Sequence, residues 1–243
     1  MGRQILTCRV TVIESFRQWI ESSDQEDKPW INENSVLSNI KGIETFNIKA
    51  KFGSAGHSII EEAPRYATIG GYAVDGFTFT EHQAKPMIKF RNDHPLMTRE
   101  LALSKLYHTP YFDIIITGTT DHLEGNILRD TKFKFSTYDV SDFISSFQWR
   151  CYLDMIGLDI FWYDFFKVSG FNTIEDCPSA RISDCESMMV KRYPSMDADI
   201  QETINEFAQF INFKGLEQHL KITPEKYKRI LRGDSSLKKI ISL

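Results

Sequence analysis

Two β-rich runs, YFDIIITG over residues 111–118 and NILRDTKFKF over 126–135, are joined by a polar connection containing Gly125, and their pairing constrains the fold more than any other feature of the chain. Short runs of branched and aromatic residues bounded by glycine favour strands, and a brief polar link between two of them favours an antiparallel pair. Side chains alternate across a strand, so Asp130 and Lys132 fall on one face with Thr131 between them. Asp121, just beyond the first run, approaches from the neighbouring strand or its turn. Two acids and a lysine then converge.

The flanking segments supply helices and further strands. Apolar spacing predicts helices over residues 9–21 and 34–43, separated by an acidic turn, SSDQEDKPW, and a short helix over GSAGHSIIEE (53–62) that Pro64 stops. YATIGGYAVDGFTFT (66–80) reads as a glycine-punctuated hairpin, and HPLMTRELALSKLY (94–107) as a helix by its period. A helix over 140–157 opens at Ser141 and closes at Gly157; strands follow in LDIFWYDFFKVSG and ARISDCESMMVKRY. The chain ends in a long helix over 197–220 and a last one with Thr223 as N-cap and Pro224 at its first position. The expectation is an α/β fold, a central mixed sheet with helices on both faces. It is read as one domain over 1–243, comprising an N-terminal helical part (1–65), a core (66–170) and C-terminal strand and helices (171–243).

Composition excludes several classes. At 243 residues, 42% hydrophobic and 26% charged, the chain has the composition of an ordinary globular protein, with disorder not expected over most of it. It has no signal pattern and no apolar run long enough to span a bilayer, so a cytoplasmic protein is expected. Cys8, Cys151, Cys177 and Cys185 lack CxxC pairing, which argues against a disulfide framework or structural zinc. The net charge of −4 offers no global attraction to nucleic acid, but residues 221–239 carry Lys221, Lys226, Lys228, Arg229, Arg232, Lys238 and Lys239 against Glu225 and Asp234. That segment is locally basic.

Three groups of residues carry possible chemistry. Carboxylates such as Asp121 and Asp130 suit a hard divalent cation, which polarises a phosphate and acidifies a bound water while an ammonium such as Lys132 steadies developing charge. The ordinary alternative is an Asp and a Lys pairing weakly on a wet strand. His57 and Glu61 are four apart, hence on one helical face, and form a competent ligand pair; such pairs also decorate ordinary helices. Gln148 and Tyr152 are likewise four apart, with an amide and a phenol able to hold the lysine or a DNA phosphate, although Tyr152 also suits a core position.

The order of these groups resembles that of the PD-(D/E)XK nuclease superfamily, specifically its RecB-like, phage-type exonuclease branch: GSAGHSIIE (53–61) for GxxxHxxxE, GTTD (118–121) for GxxD, DTK (130–132) for DxK and QWRCY (148–152) for QxxxY. The resemblance covers residues 45–170 and implies a restriction-endonuclease-like core. It further implies that His57, Asp121, Asp130 and the carbonyl of Thr131 ligate Mg2+ or Mn2+, that Lys132 positions the attacking water, that Glu61 supports the metal shell, and that Gln148 and Tyr152 orient Lys132 or contact DNA. Some relatives carry an iron-sulfur cluster, but the cysteines here are too dispersed for one. Arg129, before Asp130, departs from the apolar residue usual there.

The expected activity is metal-dependent hydrolysis of DNA phosphodiesters, an exonuclease of phage or prophage recombination or DNA repair ahead of an endonuclease of a defence system or an inert DNA-binding module. A single-strand annealing protein and copies of the chain itself are the further partners considered, and no membrane is involved.

Overall fold

The structure is a computed structural model that describes residues 3–22, 31–43 and 46–233. Strand β1 (Ile5–Arg9) leads directly into helix α1 (Val10–Ser22), so the N-terminal part is not wholly helical as expected. Helix α2 (Glu33–Lys41) opens on a capping box between Asn32 and Ser35 and closes on Gly42, whose φ of 70° is the left-handed turn that ends helices. Helix α3 (Ile48–Tyr66) starts where the Asn47 side chain accepts from the backbone N–H groups of Lys49 and Ala50. It bends at Glu62 (φ −151°), two residues before Pro64, and helical turns resume beyond the bend, so the proline kinks α3 instead of stopping it.

The predicted hairpin is a three-stranded antiparallel meander, β2 (Ala67–Thr68), β3 (Gly71–Val74) and β4 (Phe77–Thr80), turning at Asp75–Gly76, where both residues take positive φ. Helix α4 (Glu81–Asp93) follows, capped reciprocally by Thr80 and Gln83. The helix expected over 94–107 does not form. Residues 101–108 are strand β5 (Leu101–His108), paired antiparallel along its whole length with β6 (Asp113–Thr120). The apolar positions of LALSKLY fit either period, and the free edge of β6 supplies the ladder that decides between them.

The antiparallel pair expected between the 111–118 and 126–135 runs does not form: β8 (Ile127–Lys134) pairs instead with the short β7 (His122–Glu124), turning at Gly125 with φ 61°, because β1 and β5 take both edges of β6 in the other sheet. The helix expected over 140–157 is broken: α5 (Val140–Ile144) is capped by Asp139, and α6 (Phe147–Ile156) is capped separately by Ser146. The Glu14 carboxylate of α1 accepts from the N–H groups of Phe147 and Gln148, which fixes α6 as an independent start. β9 (Ile160–Ser169) pairs with both halves of the second predicted strand, β10 (Arg181–Ile182) and β11 (Glu186–Lys191). α7 (Met196–Lys214) ends at Gly215, short of residue 220, and α8 (Pro224–Gly233) starts after Thr223, whose hydroxyl accepts from the Lys226 N–H. The acidic turn at 23–30 and the basic residues Lys238 and Lys239 lie outside the described residues.

The fold is mixed α/β. β1 runs parallel and β5 antiparallel to β6, while β8 runs parallel to β9, with β7 and β11 antiparallel on the flanks. The two sheets meet at the end of β6, where the Thr120 hydroxyl donates to the Arg129 carbonyl. Alternation along β9 fills two cores. Phe161, Tyr163 and Phe165 join β1, β6, α1, α6 and α7; Phe166 and Val168 join α3, α4, β3 and β4. No helix of the described residues is long and apolar enough to cross a membrane.

Glycines set how near the helices come. A Cβ on Gly56 would stand 2.2 Å from the Phe133 ring of β8, and one on Gly118 would stand 2.3 Å from the Tyr152 ring of α6. Glycine is therefore required at both positions by approach distance. Phe133 is stacked on Phe166 and edge-on to Phe52 and His57, so it has little room to retreat. Overpacking costs about 1–3 kcal/mol, against about 1 kcal/mol regained when alanine replaces glycine in a helix. Gly56→Ala should therefore lower the urea midpoint instead of raising it, and adding Phe133→Leu should recover part of the loss. A gain in stability from Gly56→Ala alone would refute the close packing of α3 on β8.

Candidate active site

Where β6 ends and β8 continues past its pairing with β7, the edge of β8 is open, and Asp121 fills it. The Asp121 carboxylate accepts the Thr131 backbone N–H at 2.7 Å, taking the place of a strand partner. His57, from α3, brings its Nδ1 to 3.4 Å from the same carboxylate oxygen. Lys132 lies 2.5 Å from Oδ2 of Asp130, in a geometry not directed as a hydrogen bond. Asp121, Asp130, Thr131, Lys132 and His57 thus gather at one place, although His57 is 73 residues from Asp130 along the chain.

Charge is badly balanced there. Burial pushes the Asp121 carboxyl well above the usual carboxylate range, and neighbouring Asp130 pushes it further, against Lys132 and the Thr131 N–H. Burial holds the His57 imidazole down to about 4, with Asp130 pulling the other way. Burial also works against the Lys132 ammonium, yet Asp130 and Asp121 outweigh it and the group ends up at about 12. Two carboxyls therefore share one ammonium, and the imidazole beside them carries no charge at neutral pH. With 26% of His57, 18% of Asp121 and 30% of Lys132 side-chain surface exposed, the centre is open to an incoming ion.

The donor set suits a hard divalent cation: two carboxylates, one of them the buried Asp130 without a directed hydrogen bond, an imidazole nitrogen and the main chain at Thr131. No three His, Cys, Asp or Glu side chains among the described residues are grouped tightly enough to form a ready-made site. The His57–Asp121 and Lys132–Asp130 contacts would have to open around an ion.

The remaining expected residues divide. Glu61 sits one turn beyond His57, where burial, then Glu100 and Asp121, raise its carboxyl. Gln148 donates to the Tyr152 hydroxyl at 3.2 Å, and that hydroxyl donates to the Thr119 carbonyl at 3.0 Å. Tyr152 is only 2% exposed, so it props β6 from below, a position that leaves no surface for DNA. Gln148 lines a groove of about 590 Å³ over Lys132, shared with Glu14, Arg17, Lys134 and Tyr163.

Sequence reasoning missed three residues here. Glu100, just before β5, acts on His57, Glu61 and Asp121 alike. The helical period of residues 94–107 hides it. Lys134 continues the alternation of Asp130 and Lys132, and burial followed by Lys132 lowers its ammonium. Glu14 reaches the groove only through the packing of α1 on α6. Arg129, the departure from the apolar pattern, is buried: its guanidinium grips both oxygens of Asp164 at 2.8 and 2.9 Å and bonds Glu124 at 3.0 Å. This charge-assisted fork ties β8 to β9 next to Asp130.

No family model matches the chain and no curated protein matches it. Among solved structures it is similar to SSO0001, at 11% identity and a TM-score of 0.47 over 86% of this chain and 79% of that one. It is similar also to an alkaline exonuclease, LHK-Exo, from Laribacter hongkongensis, at 12% and 0.46 over 86% and 89%. A phage-related exonuclease from Haemophilus somnus 129PT aligns at 14% and 0.27 over 76% and 91%. At TM-scores below 0.5 and identities this low, the chemistry rests on the chain's own residues.

Two predictions follow from these charges. Asp164 is fully buried, so Arg129→Met leaves a carboxylate without its partner and should cost about 3–5 kcal/mol in chemical unfolding; a loss below 1 kcal/mol would show the fork to be dispensable. His57 and His122 both fall to about 4, each mainly through burial, from an ordinary 6.5. The unfolded chain then binds more protons between those values, so metal-free protein should lose stability as pH falls from 6.5 towards 4. His122→Gln should flatten that decline in urea titrations at several pH values.

Proposed function

We propose that the protein is a metal-dependent deoxyribonuclease whose reaction centre is the meeting of β6, β8 and α3. What carries this reading is the convergence of His57 from α3, Asp121 from the link after β6 and Asp130 from β8, beside the Lys132 ammonium, which itself lines the neighbouring groove. Two acids with one ammonium are short of positive charge, and both a divalent cation and a phosphodiester drawn in by it suit such a centre.

His57, Asp121, Asp130 and the Thr131 carbonyl would hold the cation, Mg2+ or Mn2+, and when bound it supplies polarisation of the phosphoryl oxygens and acidification of a water. The chain's own residues do the rest. Asp130 holds the Lys132 ammonium in place, and its charge at neutral pH suits it to hydrogen-bond the attacking water or the developing oxyanion, not to remove a proton. Glu61, its carboxyl raised by burial and by Glu100, is placed to accept hydrogen bonds from water around the shell. Arg17, Lys134 and Gln148 line the groove along which a strand would lie. Within this reading an exonuclease of recombination or repair ranks first, with DNA as the substrate and a strand-annealing protein as the companion.

Purified protein is incubated with end-labelled linear DNA and with covalently closed circles, in Mg2+ or Mn2+ and in chelator. Cleavage should require the metal and should fall by about two orders of magnitude or more in Asp130→Asn and in Lys132→Ala, the scale of losing a charge-stabilising group. Mononucleotide products from linear DNA alone mark an exonuclease, and nicked circles an endonuclease. Equal activity in chelator, or in Asp130→Asn, would overturn the assignment.

A further inference from the structure

Beside β6, a cavity of about 360 Å³ lies between the end of β1, the C-terminus of α2 and α8. Arg9, Lys41, Lys226 and Arg229 line it, with His219 and Thr117. No Asp or Glu of the described residues lines the cavity, and none of its four cations forms an ion pair among the described residues. Among the described residues two of them bond neutral groups: Arg229 donates to the Thr119 hydroxyl at 3.2 Å, and Lys226 reaches the His219 carbonyl at 3.4 Å.

That arrangement is costly for an acidic protein. With a net charge of −4 the chain has carboxylates to spare, yet none of those among the described residues is paired with these cations. Burial holds the Lys226 ammonium below its ordinary range, and nearby Arg9 lowers it further. Like charges gathered around one hollow repel each other, and an anion in the hollow relieves them. The cavity is also tied to the reaction centre. Thr117 and Thr119 lie on β6 four and two residues before Asp121, so the hollow is roughly 13 Å or less along the strand from that carboxylate, at ~3.3 Å per residue. Successive phosphates of one strand advance by ~3.4 Å along a duplex, which places the two sites a few phosphates apart.

We propose that this cavity is a second phosphate-binding site, in which Arg9, Lys41, Lys226 and Arg229 hold a backbone phosphodiester of the nucleic-acid strand a few nucleotides from the bond to be cut. The proposal rests on the nuclease reading only in taking the phosphate to be part of that substrate. Arg229 links the two sites, since the residue it bonds, Thr119, is the one whose carbonyl receives the Tyr152 hydroxyl. The basic character of α8 thereby acquires a location: part of it faces a hollow beside β6, the strand that leads into Asp121.

The test reads binding without cleavage. Full-length protein in chelator is titrated against a fluorescent 12-nucleotide strand by anisotropy at several salt concentrations, together with the variants Arg9→Gln, Lys41→Gln and Arg229→Gln. Arg9, Lys41 and Arg229 are exposed, so these changes spare the core. Each should weaken binding by about tenfold at low salt, the scale of one charged hydrogen bond, and reduce the slope of log affinity against log salt by ~0.7. Arg229→Lys should restore most of the slope, and a trinucleotide should lose much less than the longer strand. Parental affinity and slope in all three variants would overturn the site. Competition by inorganic phosphate in the parent, abolished in the variants while the strand slope stays parental, would mean a free-phosphate pocket and overturn the strand assignment. If the parent cuts no DNA yet the variants still lose strand binding, the nuclease reading fails and this site stands.

Discussion

The hydrogen bond from the Thr131 N–H to the Asp121 carboxylate holds together the charged cluster proposed as the reaction centre. β8 outruns its partner β7, and beyond Arg129 its edge would present unpaired backbone groups. An open edge within a protein must be met by water, another strand or a side chain. Here an acidic side chain from the end of the adjoining sheet meets it, and in doing so it is drawn up against Asp130 and His57. The same contact that finishes the sheet thus crowds two carboxyls together.

That crowding has a structural cost which the surroundings offset. Asp130 leans on Lys132, Asp121 on a backbone N–H, and His57 stays uncharged. One residue away, the Arg129–Asp164 fork buries a full charge pair with both carboxylate oxygens satisfied, so the local excess of negative charge is confined to the solvent-open side. Aromatic packing supplies the rigidity. Phe133, stacked on Phe166, fills the space left by Gly56, and Tyr152 fills that left by Gly118. Small residues in α3 and β6 therefore serve the centre indirectly, by letting α3 and α6 close on the strands that bear the charged groups.

A division of labour between cationic groups emerges. Lys132 is paired within the centre, Arg17 is engaged by Glu14 and Glu21, and Arg129 is buried in its fork. Those around the hollow beside β6 are not neutralised by carboxylates of the described residues. Cations already matched by carboxylates hold structure, whereas unmatched ones retain their full attraction for an anion.

The sequence by itself determined the two strand runs now seen as β6 and β8, a turn at Gly125, and the alternation that sets Asp130 and Lys132 on one side, because turn chemistry and strand period are local; it paired those runs with each other, whereas β1 and β5 flank β6 and β7 and β9 flank β8. It also marked His57, Glu61, Gln148 and Tyr152 at helical spacing. It left open the fate of residues 101–108, whose apolar spacing satisfies two periods until the edge of β6 offers a ladder, and with it the position of Glu100. It did not reveal that the helix through residue 145 breaks, since the cap responsible, Glu14, comes from a distant helix. Only the tertiary structure brought His57 to Asp121, buried Tyr152 instead of exposing it, and turned the out-of-pattern Arg129 into a clamp on Asp164. Each of these depends on which surfaces meet, a property of packing between elements far apart along the chain that no local pattern encodes.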